Sequence, residues 1–166
     1  MVLDNDPFST YNKYIKNAVT QFWKVTPFEF IDIKEFNVRK IKPAYSFIVL
    51  TETNYEKDKT NAVYNFINLL QGKNVNKLGQ MPEICAIPLS YAGEEDIEYS
   101  YKLGAILEFM QKHAHLIMED PSLTGRKYLK YYNENIPDVA NKTILVRQED
   151  LSPEINTIEK IRAIYS

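Results

Sequence analysis

Two apolar runs, AYSFIVL at 44–50 and NAVYNFINLL at 61–70, flank the charged stretch NYEKDKT. The first mixes aromatic and β-branched residues, whose stiff side chains suit a pleated strand better than a helix. The second admits two readings. Val63, Phe66, Ile67 and Leu70 make a helical stripe that Gly72 could cap, whereas the aromatic and β-branched content favours a strand returning after the charged loop. We take the strand, so the chain must build a sheet.

Three further segments read as strands: FEFIDI at 28–33, ICAIPL within 81–91, and Thr143-Ile144-Leu145-Val146. ICAIPL is apolar on both faces, as a fully covered strand would be. Pro88 cannot donate to a ladder, which predicts a bulge or an edge at that point. Helix starts are marked at Asp6-Pro7, Asp120-Pro121 and Ser152-Pro153, where a capping oxygen precedes a proline whose missing N–H costs nothing. These predict a helix over 7–23 with Tyr11, Ile15, Ala18, Val19 and Phe22 along one stripe, a helix to about 135, and a closing helix carrying Ile155, Ile158, Ile161 and Ile164. Leu103, Ile106, Met110 and Ile117 predict a longer helix over 97–118, stopped by Pro121. KEFNVRKIK, between the first two strands, allows two helical turns.

The expected order is α-β-α-β-β-β-α-α-β-α. It implies an α/β fold (α+β as the alternative) with a mixed sheet of about five strands and helices packed on it. At 166 residues the chain reads as a single domain, 1–166.

Charge and composition exclude more than they assign. Twenty basic against 22 acidic groups give no global attraction to nucleic acid or anionic membranes. Five glycines leave no GxGxxG or GxxxxGK[ST] to wrap a phosphate. No apolar stretch approaches the roughly 20 residues of a membrane-spanning helix. The opening MVLDNDPFSTY lacks the basic start and apolar middle of a signal peptide. That places the protein in the cytoplasm, or in the periplasm or outside the cell if an export signal has been removed.

Cys85 is the single cysteine. A catalytic thiol there would need a partner such as His113 or His115 to lower its pKa. It has no glycine-flanked elbow, and packing as a small hydrophobe is the stronger reading. His113 and His115, two residues apart on a helix, point roughly 200° apart and cannot grip one metal together. Glu94, Glu95 and Asp96, with Glu98, form the densest acidic cluster. It lacks the ligand alternation of a calcium loop and suits the positive end of the helix that follows. Arg126-Lys127-Tyr128-Leu129-Lys130-Tyr131-Tyr132 interleaves bases with aromatics, as single-stranded nucleic-acid sites do. Tyr128, Tyr131 and Tyr132 nevertheless share a helix face suited to packing. No cofactor is expected.

The runs DPFSTYNKYIKNAVTQFWKVTPFEFI, YSFIVLTE, MPEICAIPLSY and KTILVRQEDL together resemble a family of uncharacterised proteins from Bacteroidetes-type bacteria. In that family a DPYNKAL-like helix leads into a W…YEFI strand and a YxFLVL strand, with an xMPExxSxPL segment and a KTLY strand later. The likeness spans nearly the whole chain. Its motifs are structural, so it implies no activity and transfers no functional residue. Members often carry export signals, which implies a periplasmic or secreted protein.

The expectation is a non-catalytic module that binds a protein or cell-envelope ligand through tyrosine-rich surface. A hydrolase or transferase using Cys85 and a histidine is the alternative. Binding of single-stranded nucleic acid through the 126–132 helix is a third, weaker reading.

Overall fold

The computed structural model describes residues 1–6, 8–123, 127–134 and 146–165. It divides into two compact units, Met1–Tyr128 and Leu129–Ser166.

In the first unit, α1 (Thr10–Phe22) starts later than the Asp6-Pro7 signal predicts. Ser9 is its cap, its hydroxyl accepting from the Asn12 N–H at 3.4 Å. Asp6 instead folds its own carboxylate onto the Phe8 N–H (2.9 Å). The buried Asn12 side chain then ties down the preceding segment. It accepts from the Asp4 N–H (2.9 Å) and donates to the Asp4 and Asp6 carbonyls (3.1 and 3.0 Å).

The sheet corrects the sequence-based expectation. Among the described residues it has three strands, β1 (Ser46–Asn54), β2 (Val63–Gln71) and β3 (Glu83–Tyr91), antiparallel throughout in the order β1-β2-β3. The stretch 61–70 is therefore strand from Val63 onward. FEFIDI is not a strand. Only Ile31 pairs, in a parallel bridge to Val2, and the Val2 N–H donates to the Ile48 carbonyl (3.0 Å). Residues 1–3 thus occupy the edge of β1 that a strand at 28–33 would have needed. Asp32 ends the extended run by capping α2 (Ile33–Arg39), its carboxylate accepting from the Glu35 N–H at 2.7 Å. The fifth expected strand falls at 143–146; residues 143–145 lie outside the described residues, and Val146 is exposed in irregular backbone.

Pro88 fulfils both halves of its prediction. β3 is an edge strand, and its register against β2 shifts between Pro88 and Ser90, leaving Leu89 as the extra residue. The predicted 97–118 helix is two helices, α3 (Asp96–Ser100) and α4 (Leu103–Glu119). At Asp120-Pro121 the carboxylate accepts from the Ser122 N–H (3.0 Å) and opens only a 3-10 turn, Pro121–Leu123. The helix expected to reach 135 is α5 (Lys127–Glu134).

Two apolar clusters sandwich the sheet of the first unit. On one face Ile48, Ile67, Leu69, Cys85 and Leu89 meet Ile15 and Val19 of α1 and Leu103, Leu107 and Met110 of α4. On the other, Phe47, Val49 and Leu70 meet Ile31, Phe36 and Met81. Phe36 packs edge-on to Phe47, ring centroids 5.0 Å apart. This second cluster covers only the end of the sheet near Ser46 and leaves the hairpin end open.

The second unit contains the rest of α5, a 3-10 turn at Gln148–Asp150 and α6 (Ile158–Tyr165). Ser152-Pro153 does not open α6. Its capping oxygen is the Thr157 hydroxyl, which accepts from the Lys160 N–H at 3.3 Å. Among the described residues no helix is long and apolar enough to cross a membrane.

Candidate functional site

Strand pairing brings residues distant in sequence onto one surface. On the sheet face away from α1 and α4, successive rows read Val49–Asn68–Ala86, Thr51–Phe66–Pro88 and Thr53–Tyr64–Tyr91. The last row depends on the bulge. Without Leu89 as an extra residue, the two-residue period of β3 would send Tyr91 to the opposite face.

Tyr55 joins this surface from beyond the end of β1. The Asp58 N–H donates to the Tyr55 carbonyl (2.9 Å) and turns the chain. The Asp58 carboxylate is itself held by the Thr60 N–H (2.9 Å), the Thr60 hydroxyl (2.7 Å) and the Tyr64 hydroxyl (2.9 Å). These donors favour its charged form and lower its pKa, with Thr60 the largest cause. Asn61 completes the reversal with φ 53°, a left-handed conformation asparagine tolerates.

The result is a chain of four rings. Tyr55 lies 5.6 Å from Tyr64 and 6.4 Å from Phe66, and Tyr64 lies 5.1 Å from Tyr91, all between centroids. Tyr55 is 53% exposed and Tyr91 55%, with Tyr64 and Phe66 half-buried alongside. None of the three cross-strand rows carries a charged side chain. The buried Asn68 amide donates to the Thr51 hydroxyl at 2.8 Å, so this polar group is satisfied within the sheet. The surface is apolar, hydroxyl-bearing and fixed in place by its own loop. Sequence reasoning looked for aromatic recognition at 126–132 and missed these four rings. The alternation of β2 and Pro88 in β3 were the available signals, but neither gives the register.

The residues singled out from the sequence fall elsewhere. Cys85 is buried on β3 opposite Leu69, and burial pushes its thiol up to about 12. His113 is fully buried on α4, its ring stacked beside Phe109 (5.8 Å) and edge-on to Tyr128 (4.9 Å). Its Nε2 lies 3.0 Å from the carbonyl of Ile84 on β3. A carbonyl only accepts, so that nitrogen carries the proton and cannot take one from the thiol. His115 is exposed on the same helix. Asp96 accepts a hydrogen bond from the Tyr99 hydroxyl at the start of α3, while Glu94 and Glu95 precede the helix in solvent. Tyr131 and Tyr132 pack edge-on to each other, 5.4 Å apart, half-buried. Among the described residues, no group of three or more His, Cys, Asp and Glu side chains could hold a metal ion.

No protein-family model, curated protein or solved structure matches this chain.

Two predictions follow from the buried pair on β3 and α4. A thiol titrating near 12 is about one part in 10⁵ thiolate at neutral pH. Native protein is therefore expected to leave iodoacetamide unconsumed at about pH 8, and to take up one equivalent once unfolded in urea. Rapid native alkylation would revive a nucleophilic Cys85. The His113 imidazole is held below its ordinary 6.5, chiefly by burial. The unfolded chain then binds a proton near pH 6.5 that the folded one refuses, so stability present above that pH drains as pH falls through it. Urea midpoints should decline on acidification. His113→Gln, which keeps a donor for Ile84, should flatten that part of the profile.

Proposed function

We propose that this chain is a non-catalytic binding module whose recognition surface is the open end of the sheet. Its partner is a protein presenting an uncharged, mixed apolar and hydroxyl-accepting patch. The observation that carries the reading is the four-ring cluster of Tyr55, Tyr64, Phe66 and Tyr91, with its two outer tyrosines about half exposed. Tyrosine supplies large contact area with few rotors and is enriched in protein interfaces. The cross-strand rows carry no charge, and the adjoining 55–61 loop carries two of each sign, Glu56 and Asp58 against Lys57 and Lys59, which cancel and give no net steering by an acidic or basic partner. Hydrogen bonds that hold the 55–61 loop reduce the entropy lost on binding. The resemblance to Bacteroidetes-type proteins that often carry export signals would place the partner in the cell envelope.

The test is site-specific photo-crosslinking from position 91 in the native host, with exposed Lys16 on α1 as the control position. One discrete adduct is expected at 91 and none at 16. The identified partner, once purified, should bind the wild-type chain and lose about tenfold or more in affinity to Tyr91→Ala, with unfolding unchanged. A partner that binds Tyr91→Ala equally well would overturn the proposal, as would a neutral glycan that alone saturates this face.

A further inference from the structure

A concave site lies in the first unit, at the opposite end of β1 from the tyrosine cluster. It is a cavity of about 490 Å³ between the C-terminal end of α1, the segment 23–31 and the start of β1. That volume is in the range of pockets that hold small organic ligands. Its walls include the buried Trp23, Ile31, Phe47 and Ile48, and Phe28 and Tyr45 stand partly exposed at its mouth.

The charges at this cavity decide what it can hold. Among the described residues, Glu29 and Arg39 are the only charged side chains that line it. They neutralise each other at 2.5 Å, and Glu35 takes the other arm of the Arg39 guanidinium. That guanidinium also lies 5.6 Å from the Tyr45 ring centre. An anionic ligand would have to displace a carboxylate already paired with Arg39. A cationic ligand would have to displace Arg39 from Glu29, leaving two like charges together. The pair is solvent-exposed, its side chains 27% and 68% accessible, so either exchange trades one screened ion pair for another with no net electrostatic gain. The Met1 amino group also lines the cavity, donating to the Glu29 carbonyl at 2.8 Å, and burial lowers its pKa to about 6, so near neutral pH it is mostly uncharged. The polar side chains that remain are hydroxyls. Thr26 accepts from the Trp23 indole N–H at 3.0 Å, which leaves its own hydroxyl hydrogen to donate, and Ser46 also lines the cavity.

We propose that this cavity binds an uncharged small molecule with a flat aromatic body and a single hydrogen-bond acceptor at its exposed end. The body would lie among Trp23, Phe28, Tyr45 and Phe47, where offset and edge-on ring contacts add to the apolar area buried. Its acceptor would face Thr26 or Ser46. This site is independent of the proposed partner surface, since neither Tyr55 nor Tyr91 lines it.

Trp23 is the only tryptophan in the chain and stands in the cavity wall, so it reports occupancy directly. The probe is 6-propionyl-2-(dimethylamino)naphthalene, an uncharged flat aromatic whose ketone oxygen accepts a hydrogen bond and which takes excitation energy from indole. Titration should quench Trp23 emission to saturation at one probe per chain. Ala44→Phe places a ring at the exposed rim of the cavity and should weaken binding about tenfold, with the thermal midpoint unchanged. The anionic naphthalene 8-anilinonaphthalene-1-sulfonate should bind at least about tenfold more weakly than the uncharged probe. Absence of saturable quenching would overturn the site, and equal binding of the sulfonate would overturn the ligand class. If Ala44→Phe alters the midpoint, Ser46→Phe serves as the second rim variant, and full affinity in a folded rim variant would also overturn the assignment.

Discussion

Leu107→Ala is expected to cost about 3 kcal/mol of unfolding free energy, read as a lower urea midpoint at constant slope. Leu107 is fully buried on α4, in the cluster that joins α1 and α4 to one face of the sheet. Truncation removes the transfer energy of the lost carbons and leaves a cavity that these packed elements can only partly close. The effect bears on function because a sheet of three strands is not independently robust; it needs an apolar face packed against helices. The tyrosine cluster on the outer face therefore depends on helices it never touches. Val38→Ala is the comparison: that side chain is 69% exposed on α2, and a change within about 0.5 kcal/mol is expected. If Leu107→Ala cost less than about 1 kcal/mol, α4 would not be anchoring the sheet.

Local chemistry was readable where local chemistry decided the outcome. The hydrophobic stripe of α1, the 44–50 and 61–70 strands and the irregularity at Pro88 all follow from side-chain period and backbone donors. Each concerns residues within a few positions of one another. The sheet was not readable in the same way. FEFIDI has strand composition, yet whether it pairs is settled at β1, where Val2 already takes the Ile48 carbonyl. Nothing in the three residues Met1-Val2-Leu3 advertises that role. The helix boundaries show a related competition. Aspartate before proline is a cap or a turn depending on which N–H its carboxylate meets, and Asp6 and Asp120 both fold onto the residue two places on.

The candidate site was hidden for a topological reason. Tyr64 and Tyr91 are 27 residues apart, and they meet only because Leu89 is an extra residue in β3. Periodicity shows that a strand has two faces but not which face of its neighbour it joins. Cys85 presents the converse case. Its chemical distinctiveness drew attention in the sequence, while its surroundings, apolar and paired against Leu69, raise its pKa and remove its reactivity. The Nε2 of His113 meets the carbonyl of Ile84, the neighbour of Cys85 along the strand.

Gly72→Ala should be comparably damaging, for a reason the sequence could not supply. Read as a helix, the 61–70 segment gives Gly72 the role of a C-cap; read as a strand, it gives it none. In the structure its backbone conformation is one any residue can adopt, and the constraint is space. A Cβ built at position 72 would overlap the Lys42 carbonyl oxygen, lying 2.8 Å from that carbonyl carbon and 3.1 Å from the Lys40 oxygen. These are backbone atoms and cannot rotate aside. The 40–45 turn is held there by the hydrogen bonds a shift would break: Gly72 N–H to the Tyr45 carbonyl (2.8 Å) and Lys73 N–H to the Lys40 carbonyl (2.7 Å). Overpacking with loss of such bonds costs about 2–3 kcal/mol, well above the gain of less than about 1 kcal/mol from a stiffer unfolded chain. Gly79→Ala isolates that smaller term, because a Cβ there meets nothing within 4 Å. The two substitutions, chemically identical, should therefore shift the urea midpoint in opposite directions. A neutral Gly72→Ala would show that the 40–45 turn does not rest against the end of β2. Because Tyr45 and Ala44 line the cavity at the start of β1, Gly72→Ala should also weaken binding of the uncharged naphthalene probe at concentrations of urea too low to unfold the chain.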